Sequence, residues 1–238
     1  MVRFDDEDLS GATFRETDLR GIRMRGVRLS DADLDGQIDG LVVNGVEVLP
    51  LIEAELDRRH PERAVLRAHN PEQFRTGWAG LEHMWATTHE RVERMPPGTV
   101  DISVDEEWSF ADTLRHLVFA TDTWLGWAIQ DRRDAYHPIG LAFVPWRDQS
   151  PTVGIDLEAA PTWTETLEVR LGRVAMVRDF LATVEPDDLG RPCTPPPFAE
   201  GRDGEWRPTL RECLGVIMNE EWHHHRFAVR DLNIIDTS

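Results

Sequence analysis

Lysine is missing from this 238-residue chain, so arginine supplies all 26 of its basic residues. These face 44 aspartates and glutamates, which gives a formal net charge of −18. A chain this acidic repels phosphate backbones and anionic membrane surfaces. We therefore expect neither nucleic acid nor a membrane as a partner.

Cysteine and long apolar runs are also scarce. The two cysteines, Cys193 and Cys213, lack CxxC spacing, so the sequence encodes neither a zinc knuckle nor a disulfide framework. Cys213 falls on the apolar side of a predicted helix and reads as a core residue. No apolar run approaches the length of a membrane span, and the opening residues do not read as a signal peptide. We expect a soluble, cytoplasmic protein.

Hydrophobic residues recur at every fifth position near the start of the chain, at Leu9, Phe14, Leu19, Met24, Leu29 and Leu34. A period of five fits neither a helix nor a strand and indicates a repeat architecture. The segment resembles the pentapeptide-repeat family, whose chains wind a right-handed square β-helix with the central residue inside. This resemblance implies a short β-helical appendage of about one and a half coils, which needs neighbours or caps.

The repeat ends after Leu34, and the pattern then changes. Residues 41–48 predict a short strand or a last irregular coil, and residues 51–59 predict a short amphipathic helix that ends before His60-Pro61. We place the domain boundary near residue 50. The predicted domains are a pentapeptide-repeat segment at 1–50 and a helical domain at 51–238.

Four long stretches of the second domain carry apolar residues at helical spacing. They are expected to begin at Asn70-Pro71, Ser109, Pro161-Thr162 and Pro208-Thr209, where capping residues or prolines stand. The pattern predicts a mainly α fold, an up-down four-helix bundle. Two long connections, at 136–160 and 190–207, are of the length that usually covers a site.

The last predicted helix contains two carboxylate–imidazole pairs, Glu220 with His224 and Glu221 with His225, each at i, i+4 spacing. The apolar stripe that starts at Leu210 puts Glu221 at its centre and His225 on its flank, with Glu220 well away from it. A carboxylate inside a core is costly unless it is paired, protonated or bound to a cation. Three interpretations stay open: a metal site, a histidine-rich solvated turn, or a salt bridge from Glu221 to an arginine of a neighbouring helix.

A third ligand would have to come from another helix. His116 lies at the edge of the apolar stripe of the second helix, where it could face a cavity, although a structural hydrogen-bonded histidine fits the same position. His89 on the first helix is a weaker candidate.

The segment from Ser109 to Asp122, which includes His116, and the later Glu221–Arg226 motif together resemble the DinB-like superfamily. The resemblance spans roughly residues 70–235 and implies a four-helix bundle with a divalent-metal site. The family pattern is one histidine on the second helix and His-x-x-x-His on the last. In the branch of maleylpyruvate isomerases that use mycothiol, glutamate replaces the first of these two. The resemblance thus implies the ligands His116, Glu221 and His225.

Two imidazoles and one carboxylate suit zinc, and also nickel, manganese or iron. Three protein ligands leave open coordination positions, where a thiol would ionise. The resemblance therefore implies a divalent-metal-dependent transferase or isomerase that uses a low-molecular-weight thiol such as mycothiol on a small-molecule substrate. Alternatives are a non-catalytic metal-binding or scaffold protein and a metal-dependent hydrolase, so enzymatic activity stays an open question, as does a homodimer.

Other residues have secondary expected roles. Asp122, Glu220 and His224 are candidates to orient a ligand imidazole through its second nitrogen. Arg226 and Arg230 are candidates to bind a carboxylate of the substrate or thiol, with surface salt bridges as the alternative.

Overall fold

The computed structural model of the chain describes residues 3–15, 17–199 and 206–237. Its helices are α1 (Leu49–Arg59), α2 (Pro71–Glu93), α3 (Phe110–Thr121), α4 (Trp163–Thr183) and α5 (Leu210–Asp236), and α3 continues as a π-helix over Asp122–Ile129. Strands β1 (Val42–Val43) and β2 (Val46–Glu47) form an antiparallel hairpin. Short 3₁₀ helices lie at Pro61–Arg67, Thr99–Asp101, Val144–Val153, Pro186–Gly190 and Pro197–Ala199.

The predicted starts of the four long helices are confirmed by their caps. The side chains of Asn70 and Ser109 accept hydrogen bonds from backbone N–H groups three residues further on, in the first turns of α2 and α3. Thr162 and Thr209 form complete capping boxes with glutamates at the starts of α4 and α5. Each cap satisfies backbone donors that the first turn of a helix leaves unpaired.

The four helices form a bundle in which α2 and α3 each pack against both α4 and α5. α2 and α5 run in the same direction. Trp85 of α2 contacts His225 of α5. One to two turns further along both helices, Arg91 donates a hydrogen bond to the carbonyl oxygen of Leu232.

α3 and α4 also run in the same direction. Phe110 meets Trp163 where both helices begin, and Asp122 pairs with Arg173 later in both.

α3 and α5 run in opposite directions, because the start of α3 shares an apolar cluster with the end of α5 (Phe110 with Leu232), and the π-helical end of α3 shares one with the start of α5 (Ala128 with Leu210). The order is therefore up, down, down, up, and the simple up-down order predicted from the sequence is wrong. The reason is the connection at 130–162, which returns along α3 from Asp122 to Arg115 before α4 begins.

The loops after α3 and α4 form an aromatic cluster against α3. Phe119 packs with Tyr136, Phe143 and Trp146 of the first loop and with Phe198 of the second. Because His116 lies one turn before Phe119, this cluster supports the helix beside that histidine.

The N-terminal unit, which ends at Asp39, is a series of turns. Backbone hydrogen bonds close turns from Ala12 to Leu9, from Ile22 to Leu19 and from Ala32 to Leu29, one for every two repeats. The described residues before Leu41 contain no strand, so the strands expected of a β-helix are not formed there. The central apolar residues are 37–69% exposed, since so few coils provide too few stacked neighbours to bury them.

Among the described residues, the search for a helix long and apolar enough to cross a membrane found none.

Candidate metal centre

Three potential metal ligands from two helices converge at one point. One Oε atom of Glu220 lies 3.3 Å from Nε2 of His116 and 3.2 Å from Nε2 of His224. The ligand atoms of the three residues lie within 4.8 Å of one another, and no other such cluster of three occurs in the described part of the chain. The helical spacing of Glu220 and His224 puts both on the face of α5 that packs against α3.

The backbone of the long loop fixes the orientation of His116. Nδ1 of this histidine donates a hydrogen bond to the carbonyl oxygen of Leu141 at 2.9 Å. In the neutral imidazole this bond leaves the lone pair on Nε2, which is the atom directed at Glu220. A hydrogen bond of this kind commonly orients metal-binding histidines and selects their tautomer.

An aromatic side chain that the sequence reasoning missed covers this cluster. The ring of Trp108 packs on the imidazole of His116, with 4.5 Å between centroids, and is stacked on that of His224 at 5.8 Å. Trp108 is half-buried and directly precedes Ser109, the residue that caps α3. Its place next to the cap, two turns before His116, is the only signal the sequence offered.

Hydrogen bonds and charge interactions with the two histidines keep the carboxylate of Glu220 ionised. Burial by itself would raise the pKa of Glu220, but hydrogen bonds and Coulomb attraction from His116 and His224 hold that pKa well below its usual value. Burial lowers the pKa of His224, partly offset by Glu220. Loss of the two Nε2 protons, which metal binding would release, leaves a carboxylate and two imidazole lone pairs, the donor set that a divalent cation requires.

The spacing of the donors fits a metal. At metal–ligand distances of about 2.0–2.2 Å, two ligand atoms of a four- or six-coordinate ion lie about 3.0–3.5 Å apart. The separations of 3.2 and 3.3 Å around Glu220 fall within this range. The chemistry and the spacing of these three residues are therefore compatible with a bound divalent ion.

Glu221, predicted as a ligand, faces the interior of the bundle and pairs with Arg170 of α4. The two side chains are 1% and 2% exposed, and a terminal nitrogen of Arg170 donates to Glu221 at 2.5 Å. Burial raises the pKa of Glu221, and the charge and hydrogen bond of Arg170 oppose that shift. This is the salt bridge that the sequence left open as the alternative.

His225, also predicted as a ligand, points towards α2. Its Nε2 lies 2.8 Å from the hydroxyl of Thr88, and its ring meets Trp85 edge-on. His89, the weaker candidate, lies nearby between Trp85 and Phe110, where burial lowers its pKa to about 4. Neither histidine belongs to the His116 cluster.

The remaining candidates have protein partners. Asp122 is buried, receives two hydrogen bonds from Arg173 and one from the backbone N–H of His137, and is not among the clustered donors. Arg226 lies over the rings of Trp222 and Phe227, and Arg230 pairs with Asp231.

The structure thus brings together His116 with Glu220 and His224, the two residues predicted to support the ligands, rather than with Glu221 and His225. The sequence argument correctly located Glu221 in the core. That argument took the core position as the ligand position, whereas the three clustered donors lie on the side of α5 that meets α3, about 100° around the helix.

Comparison with known families follows the same division of the chain. The model of the DinB superfamily matches residues 80–228, and that of the pentapeptide repeats matches residues 8–36 in eight copies. Neither the curated proteins nor the solved structures yield a match. Since the first match covers more than half of the sequence and contains all three clustered residues, the chain belongs to the DinB superfamily, with pentapeptide repeats preceding the matched region.

Proposed function

We propose that this protein uses a divalent metal and a low-molecular-weight thiol to catalyse a transfer or isomerisation reaction on a small molecule. The observation that carries the proposal is the convergence of His116, Glu220 and His224 around one carboxylate oxygen. Membership of the DinB superfamily supports the metal-binding part of this proposal.

The proposed ligands are Nε2 of His116, Nε2 of His224 and the carboxylate of Glu220. Zinc suits this set, and nickel, manganese and iron are the other candidates. Three protein ligands would leave coordination positions open on the metal, where a bound thiol would ionise and supply a nucleophilic sulfur.

The residues of the chain prepare this site in three ways. The Leu141 carbonyl oxygen holds His116 in the tautomer that presents Nε2. Before a metal binds, the Nε2 protons of both histidines hydrogen-bond Glu220 and keep it ionised, and a bound metal would replace those protons. Trp108 covers the faces of the two imidazoles, which limits their rotation and excludes water from that side.

Hydrolysis is less well supported than thiol chemistry. A metal-dependent hydrolase needs a general base beside the attacking water. The two acids that the sequence offered for this role are engaged, because Asp122 is bound by Arg173 and Glu220 is a proposed ligand. The alternative that a test must separate is a non-catalytic metal-binding or scaffold protein.

The test is substitution of the metal by cobalt(II), whose visible spectrum reports on its ligands. The metal-free protein is titrated with cobalt, and mycothiol is then added, with glutathione in parallel. We expect stoichiometric cobalt binding and a new sulfur-to-cobalt absorption band with thiol. His116→Ala should abolish both signals, whereas His225→Ala, which removes a neighbouring histidine of the same run, should retain them.

Each outcome decides between the alternatives. Cobalt binding without a thiol band would reject the thiol-dependent enzyme and leave the non-catalytic metal-binding protein. No cobalt binding to the folded wild-type protein would overturn the metal site itself.

A further inference from the structure

Cys213 lies in the first turn of α5, and Cys193 lies in the loop segment that pairs with the start of that helix. Cys193 and Cys213 are both buried in the same apolar cluster. Each thiol shifts the pKa of the other, and the Cys193 thiol donates a hydrogen bond to the carbonyl oxygen of Arg191 at 3.8 Å. Because no other cysteine occurs in the sequence, each thiol has one possible intramolecular partner.

Backbone hydrogen bonds hold the two thiols side by side. Pro192 pairs in an antiparallel bridge with Thr209, the N-cap of α5, and the N–H of Cys193 donates to the Pro208 carbonyl oxygen at 2.7 Å. Cys213 lies one helical turn after Thr209 and donates its N–H to the Thr209 carbonyl oxygen. The main chain therefore places Cys193 next to the first turn of α5, the turn that contains Cys213.

We propose that Cys193 and Cys213 are a redox-modification site, at which a peroxide converts the dithiol into an intramolecular disulfide. Cys193 sulfur attacks a peroxide oxygen, which breaks the O–O bond and gives a sulfenic acid and one water. Cys213 sulfur then attacks Cys193 sulfur and displaces the sulfenic oxygen as a second water. Two thiols and one hydrogen peroxide thus yield one disulfide and two waters.

The local environment assigns the first step to Cys193. The interaction with Cys213 lowers the pKa of Cys193, whereas the same interaction and burial raise the pKa of Cys213. The thiol with the larger thiolate fraction reacts first with a peroxide. Cys213 then acts as the resolving thiol.

The cross-link would clamp the loop between α4 and α5, and that loop supports the helix of the candidate metal centre. The indole N–H of Trp127 donates to the Pro195 carbonyl oxygen at 3.0 Å. Phe198 packs against Phe119, whose ring lies 5.8 Å from that of His116. The redox state of the cysteines is thereby connected to the wall of the site by direct packing.

The full chain, reduced and metal-free, is treated with hydrogen peroxide, a probe small enough to reach buried thiols. We expect intact mass to fall by two hydrogens and a non-reduced tryptic digest to contain a peptide with Cys193 joined to one with Cys213, since arginines separate them. The melting temperature should rise by roughly 5–10 °C and return after reduction.

Cys193→Ser and Cys213→Ser are the matched controls, because each retains one thiol in the same backbone. Cys193→Ser should react slowest, Cys213→Ser should stop at an oxidised single sulfur, and neither should show the rise in melting temperature. Oxidation of the wild type to two independent sulfinic acids or to an intermolecular dimer would overturn the proposal. The proposal would also be overturned if both protein thiols stayed unmodified while a small-molecule thiol in the same reaction was completely oxidised. None of these outcomes depends on whether the chain binds metal.

Discussion

The two carboxylate–imidazole pairs of α5 have the same composition and the same spacing, but the fold gives them different surroundings. Glu220 and His224 face α3 and meet His116. Glu221 and His225 face the other helices, where Glu221 pairs with Arg170. A rotation of about 100°, one residue along the helix, separates a candidate metal centre from a structural ion pair.

This difference shows that burial of a carboxylate is not evidence for a cation. Glu221 is the more buried of the two acids, and a buried arginine neutralises it. Glu220 is the more exposed, with 29% of its side chain accessible, yet its partners are two imidazole nitrogens that can give lone pairs to a metal. The identity of the partner decides the role.

The largest expected difference between the pairs is in metal affinity. Glu220→Gln removes the charged ligand of the proposed site and should weaken zinc binding by roughly 100-fold or more. The same change one residue later, Glu221→Gln, should leave zinc affinity within about threefold of wild type, because Arg170 and not a metal is its partner. Competition against a chromogenic chelator measures both, and a reversed order of the two variants would reject the assignment.

The second difference is in the stability of the metal-free protein. Glu221→Ala leaves the charge of Arg170 buried without its partner and should lower the free energy of unfolding by about 3–5 kcal/mol. Urea unfolding measures this change.

The double variant Arg170→Met with Glu221→Met is the control, since it removes both buried charges at similar volume. It should recover most of the lost stability. A free energy of unfolding for Glu221→Ala within about 1 kcal/mol of wild type, roughly the contribution of an exposed ion pair, would show that the buried pair does not stabilise the fold.

A third expected effect concerns the stability of the metal-free protein in acid, through the histidine His89 of the bundle interior. His89 is half-buried among aromatic rings, its Nε2 has no hydrogen-bond partner in the described residues, and burial, with Arg170 and His225 nearby, lowers its pKa to about 4. An unfolded histidine takes up its proton near pH 6.5, so between about pH 6.5 and 4 the unfolded state binds more protons than the folded state. The contribution of His89 to the free energy of unfolding is therefore fully present above about pH 6.5. It is lost on acidification towards pH 4, by up to about 3 kcal/mol.

His89→Phe should remove that part of the pH dependence in unfolding experiments on the metal-free protein. His83→Gln, on the exposed side of the same helix, is the matched control and should leave the profile unchanged. If the free energy of unfolding of His89→Phe has the same pH dependence as that of wild type, burial does not lower the pKa of His89.

The smallest expected effect concerns Trp108, whose ring covers the cluster of His116, Glu220 and His224. Trp108→Ala removes the ring that packs on His116 and His224, and it should weaken zinc binding by about tenfold through the loss of imidazole positioning. Trp108→Phe keeps an aromatic ring and should recover most of the affinity. Calorimetric titration compares the two, and equal zinc affinity in Trp108→Ala and wild type would show that the ring does not position the ligands.

Much of the fold followed from local sequence. The caps at Asn70, Ser109, Thr162 and Thr209 begin helices where the sequence predicted them, because capping depends on residues within one turn. His116 was identified for the same reason, since its position at the edge of an apolar stripe depends only on its own helix. The period of five in the first residues was likewise sufficient to recognise the repeats.

The sequence by itself determined the helices, the repeats and the set of histidines and acids from which a site could be built. The tertiary structure decided which helices are neighbours and therefore which of Glu220 and Glu221 meets His116 and which meets Arg170. It also placed Trp108 over the cluster and brought Cys193 into the same apolar cluster as Cys213. The physical reason is that helical periodicity specifies which residues share a face of one helix, whereas the packing of the bundle specifies what each face meets.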